Sequence, residues 1–158
     1  MDDVPDQALM ALAIVQARAA AAANEVPIGC VIWHRPTGRI LGQGHNQRIG
    51  ACDPTAHAEI IAIRAAAAAL GDWRLTHCAI AVTLEPCPMC AGAIVNARIP
   101  RLIYGCPDSK AGAVRTLYQI CDDPRLNHRV EIVANILPDE CAQLLRDFFA
   151  KQRTMGKK

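Results

Sequence analysis

The sequence predicts an α/β fold in which a five-stranded mixed sheet is flanked by helices. Three observations point there. Apolar runs of strand length alternate with longer helical patterns, in the order αββαβαβαβα. The first two strands are separated only by a turn, which makes them antiparallel. Later strands are separated by helical segments that serve as crossovers, which gives parallel neighbours and helices over the sheet.

Each element has its own signal. A first helix spans about Pro5 to Asn24, with Pro near its first turn and Asn at its end. Val26 to His34 reads as a strand and Arg39 to His45 as its partner, joined through Arg35-Pro36-Thr37-Gly38. A second helix starts at Asp53-Pro54, where Asp caps and Pro fits the first turn, and Gly71 follows its end. His77 to Leu84 is a third strand, Pro86 to Arg98 a third helix and Arg101 to Gly105 a fourth strand. A short helix is expected near Arg115–Cys121, then a fifth strand from Val130 to Ile136. Pro138 to Arg153 closes the chain as a helix, with Cys141, Leu144, Leu145 and Phe148 on one stripe. The alanine runs 19–23 and 65–69 fall inside helical patterns, where alanine is the best former.

The 158 residues suit a single domain, 1–158, with 151–158 as a basic tail. With 52% apolar and 20% charged residues, the chain is globular and not disordered. No apolar run reaches the roughly 18 residues of a membrane span. The start, Met1-Asp2-Asp3-Val4-Pro5-Asp6, is acidic where a secretory signal is basic, so the expected compartment is cytoplasmic. Eight cysteines there read as thiols or metal ligands. Cys30, Cys78, Cys106, Cys121 and Cys141 lie among apolar neighbours and are expected to pack as small hydrophobes. From Arg146 onward, five basic residues face one acid, Asp147. That basic end suits either a polyanionic partner or plain solvation.

Two segments carry chemistry: Pro54-Thr55-Ala56-His57-Ala58-Glu59 and Glu85-Pro86-Cys87-Pro88-Met89-Cys90. Cys87 and Cys90, three apart, share one face of a helix's first turn. With an imidazole they form a zinc shell whose fourth position stays open, as in catalytic sites. Both segments are expected to open helices, whose positive ends favour thiolate. Glu59 and His57 would diverge by about 200° on a helix, leaving Glu59 outside the shell and suited to proton transfer. Two alternatives stand beside this reading. Cys52 could close the shell as a structural fourth ligand, or the CxxC could serve redox chemistry.

The chain resembles the bacterial tRNA-specific adenosine deaminases over nearly its whole length. The resemblance rests on Glu25-Val26-Pro27-Ile28-Gly29, Asp53 to Ile60, Thr83 to Ala93, Asn127-His128-Arg129-Val130-Glu131 and Asp147-Phe148-Phe149. It implies a three-layer cytidine deaminase-like fold, a homodimer and one Zn2+ per chain. The implied reaction is hydrolysis at a C–N bond of a cyclic amidine: the wobble adenosine of a tRNA anticodon loop becomes inosine, with Glu59 as the proton shuttle. His57, Cys87 and Cys90 take the metal-ligand positions, and Asn46 the position that hydrogen-bonds the flipped base.

Further residues are expected at the RNA. Asp108, on a loop after the fourth strand, would accept from a ribose 2′-hydroxyl, or is an ordinary turn aspartate. Phe149 would stack a base beside the cations Lys151 and Arg153, or simply wrap the core. Two features depart from the family pattern: acidic Asp122-Asp123 on a loop expected near RNA, and His45 before Asn46. The rival substrates are a free base or nucleoside such as guanine, cytosine or cytidine. A non-catalytic zinc-stabilised RNA-binding role is the other alternative, against which Glu59 argues.

Overall fold

The computed structural model describes residues 4–156. Met1 to Asp3 of the acidic start, and Lys157 and Lys158 of the basic tail, lie outside the described residues. The elements are α1 (Asp6–Ala22), β1 (Gly29–His34), β2 (Arg39–His45), α2 (Ala58–Leu70), β3 (Cys78–Leu84), α3 (Pro88–Asn96), β4 (Arg101–Cys106), β5 (Glu131–Val133) and α4 (Pro138–Thr154). They form one five-stranded sheet in the order β2-β1-β3-β4-β5. β1 runs antiparallel to both β2 and β3, while β3, β4 and β5 are parallel. The mixed sheet expected from hairpin and crossovers is therefore present.

Both faces of the central strands are buried, which is why β1 and β3 read as unbroken apolar runs. Ile32, Ile80, Val82 and Leu102 face the core shared with Ala58, Ala62, Ala66, Ala91 and Ile94 of α2 and α3. Val31, Trp33, Ala79, Ala81 and Ile103 face the opposite core, built with Leu9, Met10, Ala13 and Ile14 of α1 and Cys141 of α4. This makes three layers. The alanines of α1 and α2 do more than favour helix, since their small side chains let the helices sit close to the sheet. A Cβ at Gly44 of β2 would run into the Ala58 carbonyl at the start of α2. That close approach holds the head of α2, and His57 before it, against the end of β2.

Five expectations are corrected. Asp53-Pro54 does not begin the second helix. The Asp53 carboxylate instead closes a turn onto the backbone N–H (2.8 Å) and hydroxyl (2.7 Å) of Thr55, and α2 starts four residues after Pro54, at Ala58. No helix forms at 115–121: the Ile120 N–H, which a helix would return to the Thr116 carbonyl, bonds Ala113 O instead (3.0 Å), and the Leu117 and Tyr118 N–H groups reach back to Gly112 O. The order is thus αββαβαββα. β1 starts at Gly29, not Val26, and β5 spans three residues only, because register with β4 ends at Ile103↔Val133. On α4 only Cys141 of the anticipated stripe is buried; Leu144 and Leu145 pack partly, and Phe148 is half-buried. Gly71 ends α2 in the left-handed conformation (φ 72°), as anticipated. Among the described residues no helix is long and apolar enough to cross a membrane.

Candidate active site

Two helix starts meet beside the sheet. His57 precedes α2 with extended backbone (φ −78°, ψ 153°), and Cys87 precedes α3 in the same way, followed by Pro88 at the first helical position. Cys90 sits in the first turn of α3 and is fully buried. His57 Nδ1 lies 3.6 Å from the sulfurs of both Cys87 and Cys90, and the three donors lie within 4.8 Å of one another. Tetrahedral zinc with bonds of about 2.0–2.1 Å to nitrogen and 2.3 Å to sulfur separates such donors by about 3.5 Å. The three side chains therefore fit zinc.

The thiols are already polarised against one another. Hydrogen bonding from Cys90, aided by His57, pulls the Cys87 thiol down to about 4, while the same bond and burial push Cys90 upward. The hydrogen bond with Cys87 raises His57. One thiolate stands ready beside an imidazole, as a metal ligand requires. Cys52 takes no part: it is exposed, held in a positive-φ turn (51°), and outside the donor group.

Glu59 is in the first turn of α2, 4% exposed, and outside the three-donor group. Because His57 is extended, the helical angle that would separate the two side chains does not apply. The carboxylate instead reaches the Cys90 thiol. Burial raises it to about 7, with the neighbouring Cys87 adding to the rise. A carboxyl tuned near neutrality can both take and return a proton.

A cleft of about 490 Å³ opens over His57. Its walls include Asn46, Arg48, Asp108, Lys110 and Phe149, over an apolar floor of Val26, Ile28 and Leu84. Asn46 is 2% exposed, its N–H donating to the Ile28 carbonyl at 3.1 Å. Asp108 lines the cleft, and its Oδ1 accepts from the N–H of Lys110 (2.9 Å) and Ala111 (3.3 Å), as a turn aspartate does. Phe149 is 45% exposed and edge-on to Phe148, so it does not wrap the core. Arg153 does not line this cleft; it lies in an adjoining groove with Lys110, Arg146 and Phe149. The acids on the 115–130 loop are not bare, because Asp122 pairs with Arg115 (2.9 Å) and Asp123 with Arg125 (2.6 Å).

Sequence reasoning missed four residues. Arg48, next but one to Asn46, and Lys110, two after Asp108, bring positive charge to the cleft. Glu25 and Glu85 are buried carboxylates that bind backbone. Glu25 accepts from the N–H of Ile49 (2.8 Å) and Gly50 (2.7 Å), fixing the loop that carries Arg48. Position in the motifs was the only available signal for either.

Residues 3–106 match the cytidine and deoxycytidylate deaminase zinc-binding region. The chain is 43% identical over 152 residues to the tRNA-specific adenosine deaminase of Haemophilus influenzae, covering 96% of this chain and 87% of that one. The Bacillus subtilis protein of the same name is 41% identical, covering 96% and 93%. The chain belongs to the tRNA-specific adenosine deaminase family. Among solved structures, a chain from work on A-to-I editing by tRNA:A34 deaminases is 43% identical with a TM-score of 0.82, covering 87% of this chain and 99% of that one. Bacillus subtilis guanine deaminase is 36% identical with a TM-score of 0.63, covering 66% of each chain. In this family member the donors His57, Cys87 and Cys90 all lie inside the matched zinc-binding region.

Proposed function

We propose that this protein hydrolyses the wobble adenosine of a tRNA anticodon loop to inosine, with one zinc held by His57, Cys87 and Cys90. The observation that carries the reading is the donor triangle, 3.6 Å from imidazole to each sulfur, beside a buried Glu59 at the head of an open cleft. The relatives named tRNA-specific adenosine deaminase supply the substrate class.

Bound zinc would lower the pKa of a water toward neutrality. The other steps belong to this chain. Glu59, near 7, takes a proton from the water as its oxygen bonds to C6 of the base, and gives it to the ring nitrogen. It then carries the second proton to the amino group, the C6–N bond breaks and ammonia leaves. Water is consumed, and no other reactant is needed. The base must leave its stack, which costs least in an unpaired anticodon loop.

Asn46 is assigned to the Watson–Crick edge of the base, and Asp108 to a ribose 2′-hydroxyl. Phe149 offers a stacking face, and Arg153 in the adjoining groove meets phosphate. The whole chain acts as one domain, with 151–158 as its basic tail. It works as a homodimer, joined through the face on which Ile60, Ile63, Ala67 and Trp73 meet Ala93 and Asn96 of α3. Its tRNA substrate sets its place of work in the cytoplasm. The test is direct: tRNA incubated with purified zinc-loaded protein is digested and its nucleosides examined for inosine. Absence of inosine, with turnover of guanine instead, would refute the substrate.

A further inference from the structure

The Glu85 carboxylate, 2% exposed between β3 and α3, is ringed by five donors. Its Oε1 accepts from the backbone N–H of Val114 (3.1 Å), Arg115 (2.7 Å) and Thr116 (3.0 Å). Its Oε2 accepts from the N–H of Asp108 (3.0 Å) and from the Thr116 hydroxyl. An ionised carboxylate offers about four lone-pair sites, so this one is saturated, and four of its five partners are main chain. The bonds are charge-assisted and out of water, where such bonds are strongest.

The donors all come from one loop, 108–116, which has no helix or strand of its own. The loop closes around the carboxylate through two further bonds, from the Gly112 N–H to Asp108 O (3.0 Å) and from the Ala113 N–H to Pro86 O (2.8 Å). Gly112 has to be glycine for this, because a Cβ there would strike the Glu85 carboxylate and come within 2.6 Å of the Asp108 carbonyl. The same loop lends Asp108, Ser109 and Lys110 to the cleft wall. Glu85 itself stands two residues before Cys87 on the rigid path from β3 into α3. One buried carboxylate thus ties the substrate-facing wall to the segment that supplies the metal donors.

We infer that Glu85 is a positioning residue, which holds the Asp108–Lys110 wall at a fixed place relative to the metal donors so that the nucleic acid meets a preformed cleft. This rests on the proposed reading that a nucleotide enters that cleft. Interactions with the wall act on substrate and transition state alike, so their loss raises KM and leaves kcat in place.

The test compares wild type, Glu85→Gln and Thr116→Val, each zinc-loaded, for zinc content and for steady-state kinetics on an anticodon stem-loop. Glu85→Gln should keep one zinc per chain and raise KM by about 10- to 100-fold with kcat nearly unchanged. Thr116→Val, which removes only the hydroxyl bond, should shift KM the same way by a smaller factor, and it decides the matter if Glu85→Gln fails to fold. A merely structural defect lowers the amount of active enzyme, which reduces kcat and leaves KM alone. Unchanged KM, or loss of zinc with kcat falling in step, would overturn the inference. If wild type itself ignores the stem-loop and turns over guanine, the substrate reading falls, and Glu85 is judged by the same KM and kcat split on guanine.

Discussion

His57 Nδ1 stands 3.6 Å from the Cys87 sulfur, although the two residues are 30 apart in sequence. Each occupies the position before a helix, with extended backbone, so both side chains turn toward the same gap between two helix starts. Helix N-termini carry partial positive charge, which favours thiolate and suits a carboxylate nearby. Under the proposed reading the donors and Glu59 would have separate tasks in one small volume.

Those tasks separate under mutation. Glu59→Gln should retain one zinc per chain and lose about 10²–10⁴-fold in kcat, because only proton transfer is removed. Cys87→Ala should lose both zinc and activity. Elemental analysis alongside inosine formation checks both, and a zinc-free Glu59→Gln protein would contradict the division of labour.

The eight cysteines should fall into classes when titrated with a thiol reagent at pH 8. Burial pushes Cys78 and Cys106 up to about 11 and Cys121 and Cys141 up to about 12, and it raises Cys30 as well. Below such values the thiol stays protonated, leaving a thiolate fraction of about one in a thousand or less. In zinc-loaded protein only exposed Cys52 should react fast. A chelator should add Cys87, which is thiolate at pH 8 because its folded value is about 4. Cys52→Ser should abolish the fast reaction of the loaded protein and leave its zinc content unchanged. A surviving fast reaction, or a protein without zinc, would refute the assignment.

Assembly is tested on α3. Ala91, Ile94 and Val95 turn into the core, so only part of the small-residue run 91–95 faces outward. Gly92 has open space before it, and Ala93 borders the groove that holds Trp73, whose ring stacks with Arg74 at 4.2 Å. Ala93→Arg should turn a dimer into a monomer, as read by sedimentation at micromolar concentration. A wild-type protein that is strictly monomeric and fully active would remove the proposed interface.

How much of this was legible follows from how local each signal is. The metal donors lie in short motifs whose spacing is set by one helical turn, so residue type and position sufficed. The sheet was legible because β1, β3 and β4 are apolar on both faces. Asp53-Pro54 misled because Asp before Pro serves a turn as well as a cap, and only the Thr55 bonds separate the two. The segment 108–116 was legible only as a loop around Asp108, and the helix expected from Arg115 onward does not form. The segment's shape depends on Glu85, more than twenty residues earlier, which binds the N–H groups of Asp108, Val114, Arg115 and Thr116. Buried carboxylates bonded to main chain leave no periodic trace.

Asp108→Asn gives a narrow test of ribose reading. Asparagine keeps a side-chain oxygen for the N–H of Lys110 and Ala111, so the turn should survive. What disappears is the charged acceptor that a 2′-hydroxyl would meet and DNA lacks. The rate ratio of RNA to single-stranded DNA stem-loops should fall. An unchanged ratio would leave Asp108 as a turn residue alone.

The tail decides between nucleic acid and a free base. Lys151 and Arg153 form the last turn of α4, and Arg153 shares a groove with Lys110, Arg146 and Phe149 that adjoins the cleft. Phosphates flanking a flipped base would run along that groove, and cations there release counterions on binding. Removing residues 151–158 deletes Lys151, Arg153, Lys157 and Lys158 and leaves every metal donor in place. Binding of the stem-loop should weaken, and the slope of log KM against log salt should become shallower by about 0.7 for each phosphate that the shortened chain leaves unneutralised. Guanine turnover, were it the true activity, would not respond, because a neutral base releases no counterions. Kinetics at several salt concentrations, for the full and shortened chains, measure that slope. Equal slopes and equal kcat/KM would show that the tail does not touch the substrate.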